Sequence, residues 1–122
     1  MSLISILGYL NLALMVCLLS PFLLRRLNRH VFQSKNQQLG KTASVFARAH
    51  PFLGPLLLLS ATAHGYLALG IIMVHTGTVL GSAILLQNIL GISFKLSGKP
   101  ALLKVHRPLG LLSVLFLLAH LL

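Results

Sequence analysis

Long apolar runs separated by short polar clusters make up most of the chain. The first run covers residues 3–24 and is closed by Arg25, Arg26 and Arg29. A polar stretch follows (Asn28, Gln33, Ser34, Lys35, Asn36, Gln37, Gln38, Gly40) and reads as a loop at a membrane surface, ending near Lys41. The second run covers 44–73, and a turn around His75, Thr76 and Gly77 ends it. The third covers 78–94, Ser97, Gly98, Lys99 and Pro100 make the next turn, and the fourth covers 101–122. About 20 apolar residues suffice to cross the hydrocarbon core of a bilayer. The pattern therefore predicts an all-α membrane protein, a bundle of four transmembrane helices in one domain spanning 1–122. The first run has no basic segment before it and is long enough to span, so it is expected to be a retained helix rather than a secretory leader.

Composition supports the bilayer as solvent. Hydrophobic residues are 57% of the 122 and charged residues only 8%, where a soluble domain would carry about 25% charged residues. So much apolar surface implies membrane lipid as the immediate partner.

Charge fixes the expected topology. There are ten Lys and Arg and no Asp or Glu. Arg25, Arg26, Arg29, Lys35, Lys41 and Arg48 lie between the first two runs or early in the second. Lys95, Lys99, Lys104 and Arg107 lie between the last two or early in the fourth. Four spans put both groups on the same face. The positive-inside bias makes that face cytoplasmic and both termini external, as expected for an integral protein of a prokaryotic cytoplasmic membrane. Topology and anionic lipid account for the basic balance, so no nucleic-acid partner is expected. Without carboxylates the chain has no paired-carboxylate chemistry, no Asp-oriented triad and no carboxylate metal site. Cys17, the single cysteine, forms neither an internal disulfide nor a CxxC site and reads as a small buried residue.

Four of the six histidines form a pattern. His50 and His64 lie fourteen residues apart on the second predicted helix, as do His106 and His120 on the fourth. Fourteen residues fall about 40° short of four full turns, so both members of each pair face nearly the same way, ~21 Å apart along the axis. The second and fourth helices run in the same direction. His50 therefore shares an inner level with His106, and His64 an outer level with His120. Two facing imidazoles at each level meet the requirement of six-coordinate haem iron, and the expected cofactors are two haem b. A metal-transport path and purely structural histidines are the alternatives. His30 is expected in the first loop, and His75 in the outer turn has no expected ligand partner at its level, although it is placed to bond a propionate or a quinone.

The two helices also read as a local repeat. His50-Pro51-Phe52-Leu53-Gly54 aligns with His106-Arg107-Pro108-Leu109-Gly110, and Ala63-His64 with Ala119-His120. Gly54 and Gly110, one turn beyond a ligand, are expected to leave space for a flat macrocycle. Arg107, Lys104, Arg48 and Lys41 are candidates to neutralise inner propionates, Arg107 first. Outer propionates would face water or bond Tyr66, Thr76, Thr78 or His75. Gln87 and Asn88, mid-span on the third helix, are candidates for a quinone site or for interhelical hydrogen bonds. Ser60 and Ser113 are expected between the two levels.

The run His106-Arg107-Pro108-Leu109-Gly110 with His120 resembles the "HRxLG…H" helix of ferric reductase-like transmembrane haem domains. The likeness covers roughly residues 44–122. It implies that His50, His64, His106 and His120 hold two stacked haems. Members of that family usually have about six helices and often a flavin and nicotinamide domain; this chain has four runs and no G-x-G-x-x-G fingerprint. The same bis-histidine di-haem geometry also occurs in quinol-oxidising b-type membrane cytochromes. The expected function is a di-haem electron-transfer subunit working with a redox protein partner. The alternatives are a quinone-reactive membrane anchor of a larger oxidoreductase and a non-redox small membrane protein.

Overall fold

The computed structural model describes residues 1–33, 35–71 and 73–122. It is all-helical: α1 is Leu3–His30, α2 Gln37–Leu69, α3 Thr76–Ser97 and α4 Pro100–Leu121. All four are long and apolar enough to cross a membrane, which makes the chain an integral membrane protein in contact with lipid.

The helices run further than the spans. α1 continues through Arg25, Arg26 and Arg29 to His30, and α2 begins at Gln37, before Lys41. The expected loop from Arg25 to Lys41 thus shrinks to 31–36, and His30 is the last residue of α1 rather than a loop residue. The reason is physical: apolar length marks where hydrocarbon ends, not where backbone hydrogen bonding ends, and Arg, Leu, Gln and Lys are good helix formers. At 33 residues, α2 is ~50 Å long, so it outruns a hydrocarbon core of about 30 Å. The second span ends earlier than 73, at Leu69, because Gly70 caps α2 in the left-handed region (φ 70). Ser34 of the expected loop and Ile72 of the expected span lie outside the described residues.

Local chemistry sets the other ends. The Ser2 hydroxyl accepts from the Ser5 amide (3.2 Å) and caps α1. The Asn36 side-chain oxygen caps α2 by accepting from the Leu39 amide (3.1 Å), while the Asn36 backbone N–H donates to Asn28 Oδ1 (3.1 Å) and ties the two helices together. His75 Nδ1 accepts from the Gly77 amide (3.1 Å) at the start of α3. Gly98 (φ 69) ends α3, and Pro100 opens α4 at a position where its missing N–H costs nothing.

Packing forms two hairpins, α1 along α2 and α3 along α4, joined where α2 meets α3. By contrast, α2 and α4 make little close backbone contact. Leu14, Met15, Leu57, Leu80 and Ile84 make the buried centre, flanked by Phe116 and Leu117 of α4. Ser60 and Ser113 are also buried there, between the two histidine levels. Outward, Phe52, Leu59, Leu115 and many other large apolar side chains are exposed, as the lipid-facing surface of a bundle requires.

Candidate functional site

At the inner level, the His50 and His106 rings have their centres 6.0 Å apart, with planes at 71°. Two imidazoles bound trans to one metal, each through a nitrogen ~2 Å from it, would have ring centres about 6 Å apart. The spacing leaves room for one metal ion between the two rings. His106 Nδ1 lies 3.1 Å from the Gln87 carbonyl of α3. A carbonyl can only accept, so the proton sits on Nδ1 and Nε2 keeps its lone pair. The Leu18 carbonyl of α1 lies close to the His50 ring.

At the outer level, His64 Nδ1 lies 3.0 Å from the Ile4 carbonyl of α1. The same logic puts its proton on Nδ1 and frees Nε2. His120 Nδ1 is 3.1 Å from Thr76 Oγ1, a group able to accept or to donate. His64 and His75 both lie near His120. The His75 ring centre is 6.0 Å from that of His120, with planes at 85°. His75 thus has a partner at its level, which its place in a turn did not reveal.

Hydrogen bonding separates these two outer candidates. His75 Nδ1 accepts from a backbone amide, so the neutral ring carries its proton on Nε2 and has no free lone pair for a metal. His64 has the ligand-competent tautomer and His75 the donor tautomer. Metal-bound histidines characteristically donate their second ring nitrogen to a carbonyl or carboxylate; His64 and His106 already do so.

No protein family, curated protein or solved structure matches this chain.

The remaining expected residues fall as follows. Arg48, Lys104 and Arg107 are at the same end of the bundle as His50 and His106, Arg48 turning its Nε back to the Ser44 carbonyl (3.4 Å). Gly54 and Gly110 face amides of α3: a Cβ at Gly54 would stand 3.3 Å from Asn88 Oδ1, and one at Gly110 3.2 Å from Gln87 Nε2. Asn88 Nδ2 donates within its own helix, to the Ile84 carbonyl (2.9 Å), rather than across to a neighbour. Among the described residues no group of three or more His, Cys, Asp or Glu is placed to hold one metal ion. Ser113 bonds back to the Leu109 carbonyl (3.0 Å), whereas Ser60 Oγ is buried without a partner.

Proposed function

We propose that this chain is a di-haem b-type cytochrome subunit that carries electrons across the membrane. Its inner haem would be held by His50 and His106 and its outer haem by His64 and His120. The single observation that carries the reading is the inner pair, two imidazoles with ring centres 6.0 Å apart on separate helices. The Nδ1 bonds of His64 and His106 to backbone carbonyls support it, as does the lack of close backbone packing between α2 and α4, the helices a macrocycle would separate.

When bound, haem iron supplies reversible one-electron chemistry. This chain's residues do the rest. Four imidazoles would hold the two irons, one pair at each depth. Backbone carbonyls of α1 and α3 hold two of those imidazoles in the ligand-competent tautomer. Apolar side chains between the levels keep water out. Arg48, Lys104 and Arg107 stand within a few residues of His50 and His106 in sequence, at the same end of the bundle, and would supply positive charge for propionates. At the outer level the His75 Nε2–H would be available as a donor to a propionate or quinone oxygen.

On this reading the likeness to ferric reductase-like haem domains extends only to a haem core. The chain carries no flavin or nicotinamide fingerprint, so its electrons must enter or leave through another molecule. A docked redox subunit is the partner favoured by a basic inner face without a single carboxylate. That part of the proposal fails if the chain, extracted gently from native membranes, always migrates alone. The basic end is cytoplasmic and both termini external by the positive-inside bias. Haem binding itself is tested by the reduced-minus-oxidised visible spectrum of the purified protein. Sharp low-spin b-type bands are expected, and a featureless spectrum after expression with ample haem would refute the reading.

A further inference from the structure

The two ligand-competent histidines reach their carbonyls through the same local device. His64 bonds the Ile4 carbonyl, and its Cε1 would lie 3.2 Å from a Cβ at Gly8. His106 bonds the Gln87 carbonyl, and its Cε1 would lie 3.5 Å from a Cβ at Gly91. In both cases the glycine stands four residues after the carbonyl, one turn along the same face of the helix. A helical carbonyl is normally screened by the side chain of the next turn. Glycine removes that screen, and the ring lies in the gap with Nδ1 against the bare carbonyl. The two glycines are on different helices, α1 and α3, and serve different levels.

Gly77 also stands against a histidine, its added Cβ 3.0 Å from His120 Cε1, but that ring bonds the Thr76 hydroxyl and not a carbonyl four residues before the glycine. Gly65 and Gly81 have nothing within 4 Å of an added Cβ. Sequence pattern alone singled out Gly54 and Gly110, which meet amides instead.

We propose that Gly8 and Gly91 are positioning residues, each opening its helix so that one axial histidine donates Nδ1–H to the carbonyl four residues earlier. This rests on the di-haem reading above. The bond fixes the tautomer and the ring plane and raises the basicity of the metal-bound nitrogen. A more basic ligand favours ferric over ferrous iron. Gly91 therefore lowers the potential of the inner haem and Gly8 that of the outer haem, each independently.

The test is a graded series in purified protein: Gly91→Ala, Gly91→Val, Gly8→Ala and Gly8→Val, with Gly81→Val as control. Haem per chain, the midpoint of each haem by potentiometric titration and the low-temperature EPR g values, which report ring planes, are read for each. Gly91→Ala is expected to change little, because 3.5 Å is ordinary contact, and Gly8→Ala to shift the outer haem slightly. Each Val variant should raise the midpoint and move the g values of its own haem alone, or lose that haem alone, while Gly81→Val changes neither. Unchanged midpoints and g values in both Val variants with two haems retained would overturn the proposal, as would equal loss of both haems in either. A wild-type chain that binds no haem would instead refute the di-haem reading itself.

Discussion

At the scale of single residues, the ring nitrogens distinguish the histidines. Five imidazoles lie at two depths, two inner and three outer, and hydrogen bonds to Nδ1 distinguish His64 and His106, which donate to carbonyls, from His75, which accepts from an amide. His50→Ala and His106→Ala are expected to remove the same haem spectral component, and His64→Ala and His120→Ala the other. His75→Ala is expected to retain two haems, because its Nδ1 is already taken up by the Gly77 amide. Difference spectra and haem stoichiometry of the five variants check this. Loss of the outer haem in His75→Ala but not in His64→Ala would reverse the assignment of the outer ligand. The spacing of the four histidines was legible in the sequence, because a helix converts fourteen residues into one face and a fixed rise. The third outer imidazole was not, since a turn residue has no periodicity to place it. Nor was the role of Gly8 and Gly91, because the contact they make depends on how α1 and α3 pack.

At the scale of helices, turn chemistry is legible where it is explicit. Gly98 and Pro100 end α3 and begin α4 where the sequence places them, since a left-handed cap wants glycine and a helix start tolerates proline. Polar residues between α1 and α2 mislead, because Arg and Gln mark the edge of hydrocarbon while still extending helices. The left-handed cap at Gly98 (φ 69) gives a direct prediction. Gly98→Val should destabilise the α3–α4 hairpin by about 1–2 kcal/mol, measured by reversible unfolding in detergent and by lower thermal stability. Gly65→Ala, a helical position with open space, should be neutral or slightly stabilising, because alanine favours helix. Equal stability of the two variants would show that the cap is not under this constraint.

At the scale of the whole molecule, four apolar helices place all ten cations at one end of the bundle. That distribution is legible in the amino-acid sequence, since only four spans keep the charges together. It predicts that Val74, 94% exposed in the turn between α2 and α3, faces outward. In a Cys17→Ala background, Val74→Cys should react with a membrane-impermeant maleimide added to intact cells, and Gln33→Cys only after lysis. The opposite pattern would invert the protein in the membrane and put the basic end outside.

The two depths, the paired imidazoles and the one-sided charge meet in one claim, that each chain holds two haems. Pyridine haemochrome analysis of the purified protein, with chain concentration set by amino-acid analysis, tests it most directly. Two haem b per chain are expected; one haem or none in fully loaded protein would contradict the claim.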